Sequence, residues 1–442
     1  MVNSFISFNG FVGRCAYGPV RYEDSSQLHP NMAADAKPVR EHHWDFLRAF
    51  LMLLGIPYHL LLSYRVGENW IVRSGEGLMA AATAAEFLHL FRMPAFFIIA
   101  GYFAALLLAR KDAAGWLYGR FIRLGVPLVA ALLLLNPVIN YICELSNFAP
   151  DAAWQSFLHE SATSGGYWVR HLWFLIVLLY FSVVAAVAVM MWPRIGRALL
   201  PAWVDAFVAR HAVSVWLGLA VFMGMWQATA IEAFYEAGLA TNIPQQIFRL
   251  DEAIQFAPYF LIGCLLARAP MMRQKVLSVS APVLVPIVLV AGVAAIARLF
   301  FMENIAALMS PAAGFMTGRF LSAIAAMGLA QAMFALGYRF MNRPRRWVNR
   351  LVAASFVIYL FHMPIIAALV VLGHGIMMPL GVKVALMMVL TFALSYGIWL
   401  VVERSRLLSL LFDGRWNAVK PARPNNPTQS SLAVKEPVPA RA

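Results

Sequence analysis

The stretch RAFLMLLGIPYHL, Arg48 to Leu60, is apolar enough for the interior of a lipid bilayer, yet it opens on an arginine and carries His59 two residues after Pro57. Read as a helix at 100° per residue, the eleven steps from Arg48 to His59 end about 20° past three full turns, about 16 Å along the axis. Both side chains therefore share one face, one at the entrance of the span and one deep inside it. Asp45 precedes Arg48 by three residues and is placed to pair with it. Pro57 removes a helical hydrogen bond and should loosen the helix beside His59, leaving a carbonyl free to face a cavity. Plainer readings stand beside these: Arg48 as an interfacial topology anchor, and His59 as a histidine satisfied by a neighbouring helix.

The rest of the chain repeats this apolar texture. Of 442 residues, 62% are hydrophobic and 13% charged, about half the charged share of a soluble domain. Runs long enough to cross a bilayer occur near 46–66, 85–108, 122–143, 171–192, 212–231, 252–268, 280–302, 314–338, 351–373 and 378–402. The expected fold is all-α, a polytopic membrane protein with about ten transmembrane helices. The net charge of +14 does not call for a nucleic-acid partner, because the basic residues gather in short loops between the runs. Loops on the N-terminal side hold fifteen Lys and Arg, among them Arg110, Lys111, Arg120, Arg123, Arg194 and Arg343; the opposite loops hold five, including Arg65, Arg170, Arg249 and Lys383. This bias predicts that both termini are cytoplasmic.

Residues 1–43 read as a polar, flexible tail without the basic start and continuous apolar core of a signal peptide, and Met32 is an alternative start. Residues 44–405 are expected to form the transmembrane domain. Residues 406–442, rich in Pro and polar residues towards the end, are expected to be a disordered cytoplasmic tail. Cys15, Cys143 and Cys264 lie far apart without metal-ligand spacing, so neither a disulfide framework nor a metal site is expected.

Ionisable residues inside spans are costly and therefore candidates for function. In the second span, Glu86, His89 and Arg92 recur every three residues along one ridge; Arg92 is followed by apolar residues and needs an anionic partner or a polar cavity. His171 opens the fourth span beside aromatic residues. His362 in the ninth repeats the first span's pattern, with Pro364 two residues away. Arg298, Glu303 and Arg319 mark the outer ends of the seventh and eighth spans. His59, Arg92, His171 and His362 all fall in the outer half and suggest one shared polar cavity. At the other end, Arg120 and Arg123 with Arg48, Arg110 and Lys111 would make a basic mouth suited to phosphate, or serve simply as topology anchors.

Arg48-AFLMLLGIPY-His59, FRMPAFFIIAGYFAALLLARK, RFIRLGVPL, HLWFL and SFVIYLFHMP occur in order on successive spans across residues 41–405. In these motifs the chain resembles the membrane acyltransferase-3 family, and within it a branch that succinylates periplasmic osmoregulated glucans. The resemblance implies an inner-membrane enzyme moving an acyl group from a cytoplasmic acyl-CoA, succinyl-CoA in the branch it resembles, to a carbohydrate hydroxyl, with no bound cofactor. It implies His59 as the catalytic residue, and Arg48, Arg120 and Arg123 as donor-binding residues. As expectations beyond that, Arg92 and His362 join the catalytic group, Arg92 on the succinyl carboxylate or the developing oxyanion, and His171 orients His59 or binds acceptor. His59 would act as general base or as nucleophile. The implied partners are acyl-CoA, the glucan acceptor, the lipid bilayer and other glucan-biosynthesis proteins. An acetyltransferase for another envelope polysaccharide, a glycan transporter and a nonenzymatic scaffold are the competing readings; ten spans with broken helices also suit transport.

Overall fold

The computed structural model of the chain describes residues 41–67, 70–238 and 243–416. The N-terminal tail to residue 40 with Cys15 and Met32, and the C-terminal segment from 417, lie outside the described residues. Among the described residues, ten helices are long and apolar enough to span a membrane: α1 His42–Ser63, α2 Met79–Leu108, α3 Ala113–Leu145, α4 Gly165–Met191, α5 Ala212–Glu236, α6 Gln245–Arg268, α7 Ala281–Phe300, α8 Pro311–Met341, α9 Arg346–Leu372 and α10 Leu380–Arg404. Each coincides with one of the expected apolar runs. The helical domain begins at His42 rather than 44.

The tail expected to be disordered from 406 begins instead with an ordered helix, α11 Arg406–Asp413. Ser405 caps it by accepting from the Leu408 N–H at 3.4 Å, and its apolar side buries Phe412 against Phe361 with ring centroids 4.9 Å apart. Composition averaged over the whole tail hid this amphipathic helix of about two turns.

Prolines set the irregularities. The first span divides into His42–Leu53 and Gly55–Ser63, because Pro57 has no N–H to give the Leu53 carbonyl. In α3, wider turns occupy Phe121–Gly125 and Ala131–Leu135. Each contains the carbonyl, of Arg123 or Leu133, that Pro127 or Pro137 leaves without its helical donor.

Glycines set the closest approach. α2 and α6 cross backbone to backbone at Gly101 and Gly263: a Cβ on Gly101 would run into the Phe260 carbonyl, and one on Gly263 into the Ile98 carbonyl. With no hydrophobic driving force between helices in lipid, such small-residue contacts supply the packing. The Cys264 thiol donates to the Gly101 carbonyl at 3.4 Å in the same crossing. Beside it, Trp44 of α1 stacks on Tyr102 at 4.9 Å and meets Phe334 of α8 edge-on at 5.1 Å, so α1, α2, α6 and α8 share one core.

The connection from α1 to α2 folds back over the end of the bundle. The Leu78 N–H donates to the Tyr64 carbonyl at 2.8 Å and the Ser74 N–H to the Ser63 carbonyl at 3.1 Å. From α10, the buried Lys383 ammonium donates to Glu76 at 2.7 Å. Tyr64 donates to the Met387 sulfur at 3.1 Å, and burial, with Glu76 nearby, pushes its phenol up to about 12, so it keeps its proton as a donor.

Candidate active site

Arg48, Met52, Gly55 and His59 follow each other at helical spacing along one face of α1. His59 lies at its inner end, and two more imidazoles converge on it from other spans. The His59 and His362 ring centroids are 5.2 Å apart, His362 and His171 5.4 Å, and His59 and His171 6.4 Å. His362 and His171 are 1% and 5% exposed. Trp70, from the folded-back connection, stacks on His59 at 5.6 Å. Arg92 of α2 is 8% exposed, and its guanidinium lies 4.5 Å from the Tyr58 ring. Among the described residues no carboxylate pairs with it.

The α1 backbone makes room for this gathering. A Cβ built on Gly55 would sit 3.2 Å from Arg92 Nη1 and 3.3 Å from His362 Nε2. The Nδ1 of His362 is held 2.6 Å from the Tyr359 carbonyl, and Tyr359 donates its hydroxyl to the His171 carbonyl at 2.7 Å. With Nδ1–H donated, the neutral His362 ring turns an acceptor Nε2 towards Gly55. That nitrogen, His59 Nδ1 and Arg92 Nε are buried without a hydrogen-bond partner among the described residues. Buried polar atoms are ordinarily satisfied, so these mark a place for a polar ligand.

A cavity of about 250 Å³ is lined by His59 and Arg92 together with Trp70, His171, Tyr359, Arg170 and Arg249; His362 packs behind His59 and His171 and does not line it. Arg170 and Arg249 are the non-glycine residues with left-handed backbone among the described residues, at φ 47° and 51°. Such strain persists where surrounding structure holds it: Arg170 donates to Asn140 at 2.8 Å, and Arg249 to Glu252 at 2.8 Å.

A second cavity, about 100 Å³, lies towards the start of α1 and is lined by Arg48, Arg120 and Arg123. Arg48 pairs loosely with Asp45 at 3.9 Å, as the spacing predicted. Arg120 donates to Ser182 at 3.2 Å. Arg123 lies 3.9 Å from Asp413 of α11, which Arg415 also meets at 3.0 Å. Burial holds the Asp413 carboxyl above the usual carboxylate range, against the opposing pull of Arg415 and Arg123. Met52, Phe96 and Phe174 border both cavities and form a thin apolar partition between them.

The structure thus brings together all seven candidates, four in the histidine cavity region and three in the arginine cavity. Arg110 and Lys111 do not line the latter. The Glu86–His89–Arg92 ridge divides, since Arg92 and His89 border the histidine cavity and Glu86 does not. Sequence reading missed Trp70, Tyr58, Tyr359 and Asp413. Tyr359 had a usable signal, one helical turn before His362; Trp70 and Asp413 lie outside the spans and had none.

The acyltransferase-3 family model, described as an acyltransferase domain, matches residues 41–400. Glucans biosynthesis protein C of Salmonella gallinarum is 27% identical over 333 residues, covering 74% of this chain and 82% of the relative. The proteins of that name from Salmonella agona and Salmonella enteritidis align with the same identity and coverage. No solved structure matches significantly. Ten apolar spans and these bacterial relatives make the chain a multi-pass inner-membrane protein.

Proposed function

The chain belongs to the acyltransferase-3 family and is a membrane-embedded acyltransferase; on that premise we propose that it transfers a succinyl group from succinyl-CoA to hydroxyls of periplasmic glucans. One observation carries the reading: a cavity lined by Arg48, Arg120 and Arg123 and a cavity lined by His59, Arg92 and His171 lie along one face of α1, with Met52, Phe96 and Phe174 bordering both. The loop charges favour a cytoplasmic arginine cavity and a periplasmic histidine cavity. The phosphates of the donor bind at Arg48, Arg120 and Arg123, whose planar forks match phosphate oxygens. The pantetheine arm runs about 16 Å along the helix face, past the partition, and presents the thioester to His59.

His59 then takes the proton of a glucan hydroxyl as its oxygen attacks the thioester carbonyl. The C–S bond breaks, and the CoA sulfur leaves with the proton that His59 held. His362, fixed by the Tyr359 carbonyl, and His171 keep the His59 ring in place. Arg92, a buried cation without a carboxylate partner among the described residues, pairs with the free carboxylate of the succinyl group, which favours a dicarboxylic acyl group over acetyl. The test is purified protein in lipid nanodiscs with isotope-labelled succinyl-CoA and glucan, followed by mass spectrometry of the glucan. Transfer by the wild-type chain and its loss in His59→Ala are expected; full transfer by His59→Ala overturns the assignment.

A further inference from the structure

A further cavity of about 700 Å³ lies outside the site above. It runs between α2, α6, α7 and α8 at the end of the bundle where His59 sits. Its size falls within the range of small-molecule sites, roughly 300–1,000 Å³. It shares one lining residue with the histidine cavity, His89, whose ring stacks on Tyr58 at 5.3 Å. Tyr58 in turn is in ring contact with His59 at 4.7 Å. A single side chain therefore stands between the groove and the reacting histidine's surroundings.

The lining is unusual for membrane helices. It presents the Arg298 guanidinium, the Glu86 and Glu303 carboxylates and the Gln255 amide, none with an ion pair or hydrogen bond among the described residues, together with the exposed ring of Phe315. Arg298 lies across Gly318, where a Cβ would come 3.7 Å from its Nε and 3.4 Å from Met302 Sδ, so the absent side chain keeps the groove open. Arg319 is already engaged, 3.8 Å from Glu232 and over the Tyr235 ring. Arg298 is a half-buried charge within the α7 span, and such a charge left unpaired is costly unless a ligand or water meets it. Mixed donors and acceptors beside an aromatic ring suit a neutral polyhydroxylated ligand: hydroxyls bond to Arg, Glu and Gln, and the C–H face of a sugar ring packs on the phenyl group.

We propose that this groove is the acceptor site, holding a segment of a saccharide chain so that one hydroxyl passes His89 to reach His59. The proposal rests on the acyltransferase reading, and binding is measured apart from turnover to keep the two separable. A linear glucan oligosaccharide is titrated into detergent-solubilised protein by calorimetry, for wild type, Arg298→Gln and Gly318→Leu, with monodispersity checking the fold. The expected result is at least tenfold weaker binding in both variants and, in the transfer assay, at least a tenfold higher glucan KM in Arg298→Gln with the succinyl-CoA KM unchanged. Unchanged glucan affinity in both folded variants overturns the groove and leaves the acyltransferase reading standing. Loss of co-purifying anionic lipid from Arg298→Gln with glucan binding intact makes the groove a lipid site and also overturns it. Groove-dependent glucan binding without transfer from any acyl-CoA supports the groove and sinks the acyl-transfer reading.

Discussion

His362 Nε2 lies 3.3 Å from the point where Gly55 would carry a Cβ, and Arg92 Nη1 lies 3.2 Å from the same point. A hydrogen in place of a methyl group thus lets two polar side chains from two helices rest on the backbone one turn before His59. Gly55→Ala forces both away by a few tenths of an ångström, while alanine's better helix propensity keeps the span intact. Misplacement on the ångström scale costs about 100-fold in well-positioned sites. The expected outcome is an about tenfold fall in kcat for Gly55→Ala and a steeper fall for Gly55→Val, at unchanged expression and melting temperature. An active Gly55→Val enzyme would show that Arg92 and His362 do not need their present positions.

The Trp70 ring over His59 hangs from a connection tied down by the Glu76–Lys383 pair. Lys383 is 3% exposed in its side chain, whereas Glu76 is 41% exposed, so the lysine suffers when the pair is broken. Removing one partner leaves an uncompensated buried charge. Glu76→Gln should therefore destabilise more than the double variant Glu76→Gln/Lys383→Met, with a coupling of about 1 kcal/mol in a double-mutant cycle, read by thermal melting in detergent. Glu76→Gln should also raise the ratio of succinyl-CoA hydrolysed to succinyl transferred, because a loosened Trp70 admits water. Additive effects of the two substitutions would remove the tether from the account.

The arginine cavity depends on α11 as well as on the spans. Arg120→Gln should raise the succinyl-CoA KM by about tenfold with a smaller change in kcat, the mark of a binding contact. Asp413 meets Arg123 from outside the ten spans, and burial raises its carboxyl pKa. A raised pKa means the folded chain binds this proton more tightly than the unfolded one. The group's contribution is therefore fully present below its unfolded pKa, about 3.9, and is lost as pH rises through the folded value. Between pH 4 and pH 7 the melting temperature of the wild type should change less favourably with rising pH than that of Asp413→Asn. Identical pH profiles would mean that Asp413 is not buried against Arg123 in solution.

Much of this site was legible in the sequence because a membrane makes local patterns decisive. A bilayer tolerates only apolar helices, so span positions followed from hydropathy, and depth followed from counting residues. Four ionisable residues at similar depth on four spans, His59, Arg92, His171 and His362, could then be expected to meet. What depends on contacts between helices was not legible. The 11-residue spacing of Arg48 and His59 says nothing about the Met52–Phe96–Phe174 partition, which needs three different spans. Nor does the Glu86–His89–Arg92 ridge reveal that Arg92 turns into one cavity and Glu86 into another. Trp70 reaches His59 from a loop that Lys383, more than 300 residues later, helps to anchor through Glu76.

The crossing of α2 and α6 ties this geometry to stability. Arg92 and His89 sit on α2, and Arg249 and Gln255 precede the crossing on α6, so its spacing sets the width between both cavities' walls. A Cβ on Gly263 would meet the Tyr102 amide nitrogen at 2.7 Å and press on the Ile98 carbonyl, both backbone atoms that no side-chain rotation can move. The helices must separate. Gly263→Ala should cost about 1–3 kcal/mol, the range for overpacking a tight interior, and Gly263→Val more. Gly292 of α7, where a Cβ meets nothing within 4 Å, is the matched control, and Gly292→Ala should leave the melting temperature in detergent unchanged or slightly raised. Because separation moves whole helices, Gly263→Ala should also lower transfer activity at temperatures where the protein is still folded. Equal melting curves for the Gly263 and Gly292 variants would mean that the helices do not touch backbone to backbone.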